Sequence, residues 1–179
     1  VTSGRTFIRP DIPTMPELLA AAGYKTGLFG KWHLGDNYPH RPNDRGFQEA
    51  VYHAGWGITC TPDYWNGDYF DDHFSHNGVI KQYKGFCTDV FFGEAGAWVR
   101  ERAKRKEPFF LYLALNAPHG PFFAPKEYKE RYKHLDADTA GFFAMMANLD
   151  HNYRRFDELL EKAGVRDNTI LVFLTDNGS

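Results

Sequence analysis

Only two of the 179 residues are cysteine, Cys60 and Cys87, too few for a disulfide framework. Whether they pair depends on geometry that a sequence does not carry, so cysteine usage leaves the compartment open. No apolar run approaches the ~20 residues of a membrane helix, and no membrane span is expected. Excess charge is missing as well. A formal net charge of −2 gives no electrostatic footprint for nucleic acid or for an anionic membrane surface. There is no internal repeat or low-complexity tract. Val1 is not an initiator Met and no signal-peptide pattern follows it, while Ser179 falls just past a predicted strand, inside what reads as a site loop. The sequence is therefore expected to be part of a longer protein.

What is present is ordinary in bulk and uneven in detail. Hydrophobic content of 42% and charged content of 25% suit a globular protein. The length allows one sizeable core, so residues 1–179 read as part of a single domain. Aromatic residues reach 17% and crowd between Tyr52 and Phe92. The segment at about 36–87 is rich in Gly, Asn, Asp, Pro and rings without sustained periodicity, and reads as loop-rich, functional or an insertion.

Outside that segment helices and strands alternate. Thr14-Met-Pro-Glu17 carries a capping box with Pro in the first turn, and Gly23 ends the helix. Lys25 to Gly30 reads as a strand. Asp89 to Lys106 reads as a helix capped by Thr88, with a basic tail suited to the negative end of its dipole. Phe109 to Leu115 is a continuous apolar run, as in a strand buried on both faces. From Thr139 to Ala163 apolar residues recur at helical spacing, with Gly164 at C′. Thr169 to Leu174 reads as a last strand. The alternation predicts an α/β fold, a three-layer sandwich with a mostly parallel central sheet.

Three predicted strands end in reactive residues, at the edge where open α/β sheets bind ligands. Lys31 and His33 follow the first, between Gly30 and Gly35. Lys31 offers a point charge for a tetrahedral anion, and His33 a proton acceptor or donor near neutral pH. Asn116-Ala-Pro-His119 follows the second, in a loop whose prolines limit its freedom, as a general acid requires. Asp176 and Asn177 follow the third and offer hard oxygens suited to calcium or magnesium. Asp71, Asp72, His73 and His76 group like metal ligands but read as a polar surface loop. Tyr64-Trp65 and Tyr69-Phe70 read equally well as a sugar-stacking wall or as packing.

Gly23-Tyr-x-Thr-x-x-x-Gly-Lys-x-His33 resembles the second signature of the sulfatase family, within the alkaline-phosphatase-like superfamily. The resemblance continues through Asn116-Ala-Pro-His119-x-Pro121 to Thr175-Asp-Asn-Gly178 and is strongest toward bacterial arylsulfatases. It implies an alkaline-phosphatase-like fold, here incomplete, and hydrolysis of a sulfated small molecule or sulfated carbohydrate. Lys31 would contact the sulfate and the nucleophile. His33 would bond the nucleophile's hydroxyl, and His119 would bind sulfate and protonate the leaving oxygen. Asp176 and Asn177 would ligate calcium. Periplasmic or secreted location is the family-level expectation. The family's nucleophile, formylglycine, arises from a Cys-x-Pro-Ser-Arg or Ser-x-Pro-Ser-Arg motif upstream of Lys31, and this sequence has neither. Cys60-Thr-Pro62 is followed by Asp63 and Tyr64 and lies downstream, so it is rejected as a substitute. The 179 residues alone are accordingly expected to turn over no sulfate ester. Two other readings stay open: a phosphodiesterase or phosphonate monoester hydrolase of the same superfamily, and a non-catalytic binding domain.

Overall fold

The computed structural model describes residues 7–55, 57–59 and 68–177. Helix α1 (Met15–Ala21) begins as its sequence dictates: the Glu17 carboxylate accepts hydrogen bonds from the Thr14 N–H (2.5 Å) and hydroxyl (2.9 Å). Strand β1 (Lys25–Lys31) follows and lies at the centre of the architecture. It pairs in parallel with β2 (Glu49–His53) on one side and with β5 (Phe109–Ala114) on the other. The hairpin of β3 (His73–His76) and β4 (Val79–Gln82) adds to β2 antiparallel, giving the order β4-β3-β2-β1-β5. Three strands of the segment read as loop-rich thus belong to the sheet.

Successive strand residues face opposite ways, and β1 separates two cores accordingly. Phe29 joins Val51 and the apolar faces of α2 (Cys87–Lys104) and α4 (Ala137–Lys162), including Phe91, Val99, Met145 and Leu160. Leu28 turns to the other side, with Trp32, Phe47, Ala50 and Tyr52. Full burial of such side chains contributes about 1.5–3 kcal/mol each. Gly27 makes the first contact possible, because a Cβ there would already touch Trp98 at 3.1 Å. Arg45, only 2% exposed, fastens the N-terminal strap. Its guanidinium donates to the carbonyls of Arg9 (2.8 Å) and Ile12 (2.7 Å) and pairs with Glu17 at 3.1 Å.

The cap of α2 and the last strand differ from the sequence reading. Helix α2 starts at Cys87 with Phe86 in the cap position, so Thr88 lies inside the first turn, 1% exposed. Thr169 to Leu174 forms no strand. The run is irregular, with Ile170 94% and Leu174 71% exposed. An apolar run becomes a strand only when a neighbouring backbone satisfies its N–H and C=O groups, and no described segment lies beside this one as a strand. Phe173 instead sets its ring edge-on to Tyr153 of α4, centroids 5.9 Å apart.

No helix among the described residues is long and apolar enough to cross a membrane. Cys87 is a buried free thiol whose pKa burial pushes up to about 12, so it is inert at neutral pH. Cys60 and the Tyr64-Trp65 pair lie outside the described residues.

Candidate active site

The carboxyl edge of the three parallel strands gathers the polar residues. Gly30 is the last residue before Lys31, and it faces Ala114 across the β1–β5 pair. Its φ is +120°, and a Cβ would fall 1.9 Å from the Ala114 carbonyl oxygen. Only glycine lets the two strands meet there. Beyond this contact β1 delivers Lys31 and β5 delivers Asn116, both against the backbone of Gly57. A Cβ built on Gly57 would lie 3.1 Å from the Asn116 side-chain oxygen and 3.7 Å from Lys31 Cε. One loop therefore closes over residues from two strands.

Trp32 separates Lys31 from His33 by turning into the second core, 8% exposed. Its indole N–H donates to the carbonyls of Gly35 (3.1 Å) and His40 (2.8 Å). His33 itself sits in the left-handed region at φ 57°, a conformation that costs energy and persists where its surroundings impose it. Two residues on, Asp36 accepts the Gly55 N–H at 3.1 Å to each carboxylate oxygen. That bond joins the loop after β1 to the loop after β2. The His33 pKa is lowered, by burial first and by the Lys31 charge second, with Asp36 acting in opposition. The ring is thus neutral to a lower pH than a free imidazole and can accept a hydrogen bond from a hydroxyl.

His119 lies in the exposed loop after β5. Its N–H bonds the Asn116 carbonyl at 2.8 Å, and its Nδ1 lies 2.6 Å from the Gly120 carbonyl. A carbonyl only accepts, so Nδ1 carries the proton and Nε2 is left for a ligand. Bonding to its own loop orients this imidazole without occupying it. A tyrosine that the sequence reading did not single out for this role holds the loop from behind. Tyr69, 2% exposed, donates its hydroxyl to the His119 carbonyl (3.1 Å) and accepts the Asn116 amide (3.4 Å). Its ring stacks on Phe86, centroids 6.1 Å apart. His53 was also not anticipated. It pairs in register with Lys31 at the end of β2 and is 2% exposed.

Asp176 and Asn177 are exposed, at the end of the irregular run from Ile170. Among the described residues no group of three or more His, Cys, Asp or Glu gathers in a way that could hold a metal ion. Calcium takes about 6–8 oxygens, and Asp176 with Asn177 falls well short. The Asp71–His76 group is structural: Asp71 accepts the Gly85 N–H at 2.8 Å, Asp72 the His73 N–H at 2.6 Å, and His76 meets Glu49 at 2.5 Å.

The His33 shift has a measurable sign. By NMR its ring is expected to titrate below 6.5, and Asp36→Asn, which removes the opposing charge, should lower the midpoint further. A midpoint at or above 6.5 contradicts the assignment. Because the unfolded ring binds more protons in that window, the His33 contribution to stability is complete above pH 6.5. It is lost as pH falls through the folded-state value.

Comparison with known proteins identifies the family and the fold. The arylsulfatase of Klebsiella aerogenes is 28% identical over 94% of this chain and 47% of its own length. Human N-acetylgalactosamine-6-sulfatase is 31% identical over 92% of this chain and 32% of its own. The crystal structure of Ps i-CgsB in complex with k-i-k-neocarrahexaose superimposes with a TM-score of 0.81 at 30% identity, covering 91% of this chain and 39% of that one. The chain thus spans a third to a half of the relatives it matches, and its sheet is that of the alkaline-phosphatase-like fold. Given a Sulfatase family model that matches residues 3–179, on a fold that carries Lys31, His33 and His119 at one sheet edge, the chain belongs to the sulfatase family.

Proposed function

We propose that the protein containing this chain hydrolyses sulfate esters, arylsulfatase-like in class, with a sulfated small molecule or sulfated carbohydrate as substrate. The observation that carries the reading is that Lys31 and Asn116 flank the same side of Gly57, where a Cβ would lie 3.7 Å from the Lys31 Cε and 3.1 Å from the Asn116 side-chain oxygen, which sets residues of two strands around one space. In the proposed reaction an attacking oxygen bonds to sulfur and the bond from sulfur to the ester oxygen breaks. The departing oxygen takes a proton. Lys31 neutralises charge on the transferring sulfate. His33, held neutral by burial and by Lys31, accepts the hydrogen bond of the attacking hydroxyl. His119, its Nδ1–H held by the Gly120 carbonyl, supplies the leaving group's proton from Nε2 when the ring is protonated at both nitrogens, and is left as the neutral Nδ1–H imidazole.

Family membership implies a metal cofactor, and calcium with Asp176 and Asn177 among its ligands is part of the proposal. The described residues do not by themselves make that site, so no step here runs through the ion. Formylglycine as the source of the attacking hydroxyl is likewise a family expectation, its precursor motif lying in no part of this sequence.

The test is a side-by-side rate comparison of the full-length protein on matched aryl sulfate, phosphate and phosphonate esters. Sulfate is expected to be preferred in kcat/KM. Preference for phosphate or phosphonate would assign the protein to the other hydrolases of the superfamily, and no turnover on any of them would favour a binding role. Support for a sugar leaving group comes from the relatives, one named for N-acetylgalactosamine-6-sulfate and one crystallised with an oligosaccharide.

A further inference from the structure

We infer that Phe123 and Lys129 form a subsite for the sugar that leaves. It would recognise a sulfated oligosaccharide with a second anionic group, sulfate or carboxylate, beside the ester being cleaved. This rests on the sulfatase reading above and deepens it.

The segment after His119 alternates like a strand. Phe122 is half-buried and Ala124 is 5% exposed, whereas Pro121 and Phe123 face outward. Phe122 is anchored against α4, where Gly141 lets the backbone close in: a Cβ there would lie 2.6 Å from the Phe122 carbonyl oxygen. Phe123, 45% exposed, is thereby held out rather than floating. Its ring sits edge-on to Tyr69 at 5.7 Å, and Tyr69 is the residue whose hydroxyl holds the His119 carbonyl. One buried side chain thus supports both the imidazole that would protonate the departing oxygen and the ring beside it. A flat apolar face at that place suits the C–H face of a pyranose.

The charge comes from the helix that follows, α3 (Lys126–Lys129). Lys129 is half-buried and sets its ammonium 5.6 Å from the Phe123 ring centroid. Three lysines are engaged with carboxylates, Lys25 with Glu107, Lys133 with Glu130 and Lys162 with Glu158. Lys129 forms no ion pair among the described residues. With the ammonium over one face of the ring, the sugar stacks on the other, and its anionic group reaches round the ring edge toward a cation that has no acidic partner among the described residues.

The experiment compares the full-length protein with Lys129→Gln, Lys129→Arg and Phe123→Leu on two substrates. These are a monosulfated disaccharide and the same disaccharide with a second sulfate. The quantity read is the ratio of kcat/KM for disulfated over monosulfated substrate, taken within each variant so that any loss of folded protein cancels. Lys129→Gln should lower that ratio roughly tenfold, the worth of one charge-assisted bond, and Lys129→Arg should restore most of it. Phe123→Leu keeps apolar volume but removes the flat face, and should raise KM for both sugars roughly fivefold. An unchanged ratio in Lys129→Gln, with the wild-type protein active, overturns this inference alone. Absence of turnover on any sulfate ester overturns the sulfatase reading and this inference with it.

Discussion

Replacement of Lys31 by Ala in the full-length protein is expected to lower kcat/KM on an aryl sulfate about 10²–10³-fold, the usual cost of deleting one preorganised donor to developing negative charge. The position makes the effect specific. Lys31 ends β1 beyond the close approach of Gly30 and Ala114, with its Cε 3.7 Å from where a Cβ on Gly57 would stand, so its ammonium stands beside the loop that follows β2. Lys31→Arg should not rescue. A planar fork has a different reach and donor geometry from a compact ammonium. Melting temperature should barely change, since Lys31 forms no ion pair among the described residues. A loss below about tenfold with intact folding would mean that another group carries the sulfate's charge.

His119→Ala is expected to divide substrates by leaving group. A positioned general acid contributes about 10²–10⁴-fold where the departing oxygen needs its proton. Esters of sugar alcohols should therefore lose activity on that scale. Activated aryl sulfates, whose phenolates leave unaided, should lose far less, and a plot of log kcat/KM against leaving-group pKa should steepen. The hydrogen bond from Nδ1 to the Gly120 carbonyl fixes which nitrogen faces outward. Equal losses on both substrate classes would assign His119 to holding sulfate and not to proton transfer.

Much of the frame was readable from local pattern. The capping box of α1, the apolar run of β5 and the periodic stripe of α4 are each written within a short stretch, and the structure forms them there. Strand β5, however, ends the strand order and is half-buried with Tyr112 exposed, not buried on both faces as its composition suggests. The order of the reactive strand endings was also visible, because spacing along the chain carries it. Other features depend on partners far away in sequence. All four residues of β4 are exposed, so no alternation announced it as a strand. Ile170–Leu174 has the composition of a buried strand and is not one here, since composition cannot state whether a neighbour exists. Tyr69 gave no hint of its place behind His119, which lies 50 residues on.

The position of Tyr69 has an evolutionary corollary. The aromatic segment between β1 and α2 is the least regular part of the described fold, yet one of its rings is bolted to the loop that bears His119. In the proposed reaction, a change of substrate preference made there would be transmitted through the Tyr69 hydroxyl to the loop that carries the imidazole. Selectivity and proton delivery would then not be independently adjustable traits. Variants that broaden the sugar range should carry compensating substitutions near Phe86 or Phe123, the two rings that pin Tyr69 in place.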